Sequence, residues 1–236
     1  MSWLRRLLRP LATFLSFVAS FMFVGAAHDW LPGWTTPAIF GLILLIITFV
    51  IFIHELGHAL AFRWQGGVVD EFAVFFLAWR RARPGQPGGL GWARRIGADI
   101  GGYVIGHFGA TVPTRRKAML VAAAGPLANF LLTFFCLVAG SAIYGMTVPD
   151  PSPGPALTVV AGGPSDAMDH AELPDAAAVR QALDHVDRMN DLAALQALLV
   201  LVGFNSLITG LINLIPFTGG DGAAILRQWL NRPSLR

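Results

Sequence analysis

Ile43-Leu44-Leu45-Ile46-Ile47-Thr48-Phe49-Val50-Ile51-Phe52-Ile53-His54-Glu55-Leu56-Gly57-His58 is the stretch on which the reading of this chain turns. A run that is apolar but for Thr48 leads straight into three ionisable groups. Charged or polar groups inside a membrane span cost about 2.5–3.5 kcal/mol each on insertion scales, so they usually mark function. On a helix, residues four apart share a face, and His54 and His58 can present both imidazoles to one point. Neutral imidazole suits zinc, and the intervening Glu55 can take a proton from water at the metal. In a chain of this composition the pattern His-Glu-x-x-His arises by chance about 0.002 times. The bland alternative is a pair of interfacial histidines capping a span.

Working outward, the run belongs to an apolar segment from about Pro37 to Phe62, long enough to cross a bilayer. Three further segments qualify: Leu11–Ala27, Ala118–Tyr144 and Leu192–Ile215. The composition agrees, with 55% hydrophobic and 13% charged residues where soluble domains carry about a quarter charged. Arg5, Arg6 and Arg9 precede the first segment and Val24-Gly25-Ala26 resembles a cleavage site, so a signal peptide is its alternative reading. Fifteen of the 17 basic residues fall in the N-terminus, in 63–117 and in the C-terminal tail, whereas 145–191 carries eight acids. The positive-inside rule therefore puts both termini and 63–117 in the cytoplasm and 145–191 outside. The net charge of +3 reflects this topology, not nucleic-acid binding. The lone Cys136 excludes an intrachain disulfide and a cysteine zinc cluster.

Between the second and third segments, Val68–Phe76 and Gly101–Gly106 read as short strands, with a turn-rich break over Arg80–Gly91. An apolar hairpin beside a span suggests backbone that dips into the bilayer, tolerable where protein or a wet cavity surrounds it. The expected fold is an α-helical polytopic membrane protein with about four transmembrane helices and a membrane-reentrant β-hairpin between the second and third. Residues 1–36 form an N-terminal transmembrane segment and outer loop, and 37–236 the core, with an acidic extracytoplasmic loop at 145–191. A short polar helix is expected over Asp175–Asp187, and another over Ala223–Leu230.

A catalytic zinc takes three protein ligands and leaves one position open. His28, Asp29, His170 and His185 lie on the opposite side of the membrane from His58. His107, in the hairpin region, is one candidate for the third ligand. Asp221 is the preferred one: it lies on the side of His58, after Pro216 breaks the fourth span and among Gly219, Gly220 and Gly222. Its alternative role is to cap the helix that follows.

His-Glu-x-x-His on a span, followed by Asn213, Pro216, Asp221 and Gly222 at the spacing N-x-x-P-x-x-x-x-D-G, resembles the site-2 protease family of intramembrane zinc metalloproteases. Gly125-Pro126-Leu127-Ala128-Asn129 resembles that family's GPxxN signature. Gly67–Phe72 and Gly101–Val104 are similar to the re-entrant hairpin and edge strand of its anti-sigma-factor-cleaving branch. The chain departs from the pattern at Thr218 and Ala223, and 145–191 stands where that branch has a PDZ domain. The resemblance implies one catalytic Zn2+ held by His54, His58 and Asp221, Glu55 as general base, and regulated proteolysis within or beside a substrate's transmembrane helix. Gly102 and Tyr103 would bind the unwound substrate through the strand edge, and Asn129 and Asn213 would hydrogen-bond its backbone. For each Asn the plain alternative is an inter-helix contact. The expected partners are a membrane protein substrate and a regulator in place of the PDZ domain, in a prokaryotic inner membrane. A non-proteolytic zinc-binding or transport protein is the competing class. A transporter needs polar groups through both leaflets, and the outer halves of spans three and four carry no acid or histidine.

Overall fold

The computed structural model describes residues 35–93, 101–109, 113–147, 176–216 and 220–230. The apolar segment Leu11–Ala27 and the greater part of the acidic 145–191 stretch lie outside the described residues. Helix α1 (Thr36–Trp64) leads into strands β1 (Val68–Val74), β2 (Leu77–Arg80), β3 (Gly89–Trp92) and β4 (Gly102–His107). Helices α2 (Arg115–Thr147), α3 (Ala176–Leu214) and α4 (Asp221–Leu230) follow. Among the described residues, α1, α2 and the Leu183–Leu214 part of α3 are long and apolar enough to cross a membrane. Three candidate spans are therefore described where the sequence suggested about four.

Thr35 enters α1 in an extended conformation and Pro37 sits in the first turn, where a missing N–H costs nothing. The helix stops at Gly66, whose φ of 82° takes the chain into the left-handed region. Along α1, Ile39, Ile43, Ile46 and Val50 recur at helical spacing and are buried. They form one core with Leu201 of α3, and Leu132 of α2 packs against it. Phe40, Leu44, Leu45 and Phe49 on the other face are exposed. Large apolar side chains exposed in such numbers along long helices belong against lipid. The chain is a membrane protein.

Helix α3 is longer than its span. The polar helix expected over Asp175–Asp187 is continuous with the apolar segment, because neither Pro nor Gly interrupts 176–202. At about 1.5 Å per residue, its 39 residues reach about 58 Å, well beyond a hydrocarbon core of about 30 Å.

The strands form one antiparallel sheet in the order β3-β2-β1-β4. Strands β2 and β3 lie partly in the region read from sequence as a turn-rich break. Val74 pairs with Leu77, so Phe75 and Phe76 form a two-residue turn, and Phe75 takes φ 51°. Such turns favour Asn or Gly at positive φ, and two phenylalanines give no such signal. Strand β4 runs along the second half of α1, with Gly101 against Ile51 and Gly106 against Phe62. The edge of the sheet is thereby set beside Glu55.

Candidate metal centre

His54 and His58 continue the buried stripe of α1 one and two turns beyond Val50. They occupy positions that apolar core residues take earlier in the same helix. Both are buried, as is Glu55 between them. The third group comes from α4. Gly220 supplies the carbonyl that accepts the Ala224 N–H, so Gly220 caps the helix and Asp221 is its first residue. The Asp221 carboxylate turns toward the histidines instead of capping the helix: its Oδ2 lies 2.9 Å from His54 Nε2 and 3.2 Å from His58 Nε2. The two Nε2 atoms are 3.2 Å apart. His107 does not join them; its Nδ1 lies 2.6 Å from Asp70.

These spacings test whether zinc fits. Zn–N and Zn–O bonds of about 2.0–2.2 Å give a tetrahedral edge of about 3.3 Å. The observed triangle of 2.9, 3.2 and 3.2 Å is close to one face of that tetrahedron. Three electron-rich atoms do not crowd together in an apolar bundle without a proton or cation among them. Two imidazoles and one carboxylate are also a donor set that zinc takes. His54, His58 and Asp221 would hold the ion, leaving one position open.

Helix α2 builds the back wall. Val121, Gly125 and Asn129 are spaced by four and share the face turned to the histidines. The Lys117 ammonium donates to the Gln65 carbonyl, pinning the end of α1. His58 Nδ1 lies 2.7 Å from the Val121 carbonyl. Asn129, fully buried, places its amide 3.1 Å from His54 Nδ1. Gly125 lies between them, and a Cβ there would come within 2.7 Å of His54 Nε2 and closer still to His58 Nε2. Pro126, inside the helix beside this wall, has no N–H to give the Ala122 carbonyl. The sequence marked Gly125 and Asn129 as part of a signature without giving Gly125 a task; the signal was the four-residue spacing. Gly57 lets α1 and α2 touch, since a Cβ there would meet Ala128 Cβ at 2.8 Å.

The other residues expected to bind substrate lie on β4 and α3. Gly102 lies against Glu55, its would-be Cβ 2.9 Å from Glu55 Oε1 and 2.8 Å from the Ala73 carbonyl. Tyr103 donates its hydroxyl to Glu71 at 2.7 Å. The Asn213 amide donates to the Thr209 carbonyl one turn back in α3. At the other end of the sheet Asp70 occupies a bulge in β1 and meets both Arg83 at 2.9 Å and His107 at 2.6 Å. Its burial would raise its pKa, but the Arg83 and His107 hydrogen bonds and charges outweigh that and hold it below the usual aspartate value.

Comparison with known proteins agrees with this geometry. The model of peptidase family M50 matches residues 42–235. Three curated bacterial relatives are each named "Putative zinc metalloprotease". The one from Rhizobium meliloti (strain 1021) is 32% identical over 139 residues, covering 46% of this chain and 34% of the relative. That from Mesorhizobium japonicum is 32% identical over 141 residues, 46% of this chain and 35% of the relative. That from Agrobacterium fabrum is 26% identical over 156 residues, 53% of this chain and 38% of the relative. The matched part thus spans little more than a third of each relative's length. No solved structure matches significantly. With its zinc-fitting His-His-Asp centre set beside Glu55 and a family match over most of its length, the chain belongs to peptidase family M50, the site-2 protease family its motifs resemble.

Proposed function

We propose that this chain is a zinc-dependent endopeptidase that cuts membrane proteins within or beside a transmembrane helix. The observation that carries the reading is the convergence of three ligand atoms at tetrahedral spacing beside a buried Glu55, with both histidines and Glu55 on a helix long and apolar enough to cross a membrane. Bound zinc supplies Lewis acidity, which acidifies water and polarises a peptide carbonyl. Glu55 takes the proton of the attacking water and delivers it to the departing amine nitrogen. His54 and His58 stay neutral, and Asp221 contributes the one negative charge of the ligand set. The apolar stripe above the histidines keeps bulk water from the centre, where fixed charges act more strongly than in water.

A helical substrate hides its carbonyls in its own hydrogen bonds, so it must unwind before it is cut. Among the described residues strand β4 ends the sheet, and its edge beside Glu55 offers the unwound segment a partner for β-augmentation. Gly102 and Tyr103 belong to that edge, whereas the Asn129 amide is buried at His54 and the Asn213 amide is engaged by Thr209. Exposed Phe76, Trp79, Leu90 and Trp92 suit a sheet that dips into the cytoplasmic leaflet. The charge asymmetry supports an orientation with both termini in the cytoplasm, and the bacterial relatives favour an inner membrane. A separate protein would supply the gating that a PDZ domain gives elsewhere.

The test compares membrane-protein fragments from cells carrying the wild-type chain and Glu55→Gln. Glu55→Gln should bind zinc as the wild type does and lose cleavage by about 10²–10⁴-fold, the usual share of a general base. Asp221→Ala should lower zinc stoichiometry. Fragments that persist unchanged in Glu55→Gln cells would remove the proteolytic reading, and full zinc in Asp221→Ala would remove the third ligand.

A further inference from the structure

We infer that Asn129 is a positioning residue that fixes the tautomer of His54 by accepting a hydrogen bond from its Nδ1–H. This rests on the zinc reading of the site. His58 shows what a ligand histidine needs. Its Nδ1 faces the Val121 carbonyl at 2.7 Å, and a carbonyl can only accept. Nδ1 therefore carries the hydrogen, and Nε2 keeps its lone pair toward Asp221 and the metal position.

His54 has the same requirement and a different partner. Its Nε2 lies in the ligand triangle, 2.9 Å from Asp221 and 3.2 Å from His58 Nε2. For Nε2 to offer a lone pair, Nδ1 must carry the hydrogen and find an acceptor. The group at Nδ1 is the Asn129 amide, fully buried. The amide nitrogen lies 3.1 Å from Nδ1, while the amide oxygen has no hydrogen-bond partner. A donor facing Nδ1 would force the hydrogen onto Nε2, into the ligand triangle. The nitrogen and oxygen of an amide have nearly the same shape and exchange places by a half-turn. That half-turn brings the orphaned oxygen to Nδ1, where it accepts, and frees Nε2 for the metal. Either orientation leaves a second amide atom in an apolar setting; the tautomer that zinc requires decides between them.

The surroundings hold Asn129 for this task. The hydroxyls of Thr133 and Ser206 both reach its main-chain carbonyl, at 3.0 and 2.9 Å, so α2 and α3 are joined at this turn. Its side chain lies behind His54, on the side of the ring away from the metal position.

Zinc affinity is to be measured by chelator competition on the purified full-length chain, wild type, Asn129→Leu and Asn129→Asp. A carboxylate keeps the acceptor and loses the donor; leucine loses both at similar volume. Asn129→Leu should bind zinc about 10–100-fold more weakly, as loss of an outer partner of a ligand histidine does. Asn129→Asp should bind within about threefold of the wild type or more tightly. An Asp variant as weak as the Leu variant would overturn the assignment, as would a Leu variant with wild-type affinity. Should Asn129→Leu not fold, nitrogen-15 shifts of labelled histidines in the zinc-loaded wild type decide. Protonated Nδ1 on both His54 and His58 is expected, and an unprotonated His54 Nδ1 overturns the proposal. A folded wild type that takes up no zinc would overturn the metal site itself, whereas wild-type zinc binding with an indifferent Asn129→Leu would overturn this inference alone.

Discussion

Gly125→Ala places a single methyl group against the metal position. The new carbon would lie 2.7 Å from His54 Nε2 and nearer to His58 Nε2. Non-bonded heavy atoms settle at about 3.5 Å, so the overlap with His54 alone is about 0.8 Å. Overpacking of this kind costs about 1–3 kcal/mol. The atoms met are the tips of two rings, not backbone, so the strain is relieved by swinging the imidazoles out of the ligand triangle. The cost then falls on zinc and not on the fold. At about 1.4 kcal/mol per tenfold, zinc affinity should drop about 5- to 140-fold. Chelator competition on purified protein reads the affinity, and a melting curve of the zinc-free protein reads the fold. A folded Gly125→Ala that binds zinc within about threefold of the wild type would refute the placement of the metal between the two histidines and Gly125.

Gly102→Ala should act on turnover and spare zinc. Its Cβ would press on Glu55, 2.9 Å from Oε1, so kcat should fall by about tenfold or more, from about 1–3 kcal/mol of strain, with zinc content unchanged; an unaltered kcat would detach β4 from the base. Chelation should lower the melting temperature, because zinc ties Asp221 of α4 to α1. Readdition at about 100 times Kd should restore about 2.7 kcal/mol, and a melting temperature indifferent to zinc would contradict the tie. The sheet should weaken in acid. Asp70 is held below the usual aspartate value of about 3.9 by Arg83 and His107, with Glu71 and Arg81 lining the same cavity. Its contribution is therefore full above that value and is lost as pH falls below it, through the depressed folded pKa. Amide exchange in β1 and β4 should quicken over that window, and Asp70→Asn should flatten the response; an unchanged slope would clear Asp70 of the role.

The apolar span and the four-residue spacing of His54 and His58 were legible because α1 carries its task along one stripe. Ile39, Ile43, Ile46 and Val50 are buried for the reason His54 and His58 are: they point at α2 and α3. Asp221 was legible from its side of the membrane and its Pro-Gly surroundings. Strands β2 and β3 were not, because a Phe75-Phe76 turn bears none of the residues that ordinarily announce a hairpin. The length of α3 was missed for the opposite reason. Composition changes from polar to apolar near Leu192, but nothing there breaks a helix, and the hydrogen-bonded backbone follows the backbone rule. The part played by Gly125 was hidden because its function is the absence of a side chain, which only neighbouring atoms can reveal.

The face of α2 that carries Val121, Gly125 and Asn129 shows why His-Glu-x-x-His alone does not make a centre in a membrane. In water, the outer nitrogens of two histidines would be satisfied by solvent. Inside an apolar bundle each needs a protein partner, because an unpartnered polar group there costs about 1–3 kcal/mol. A main-chain carbonyl serves His58, and a side chain serves His54. Between those two supports there must be room for an ion, and the residue midway between Val121 and Asn129 at four-residue spacing is the one that lacks a Cβ. Three needs of one metal site, two partners and a gap, thus fall on successive turns of a single helix face. That face packs on α1 along the same seam that buries the apolar core, so the contacts that fold the bundle also aim the histidines.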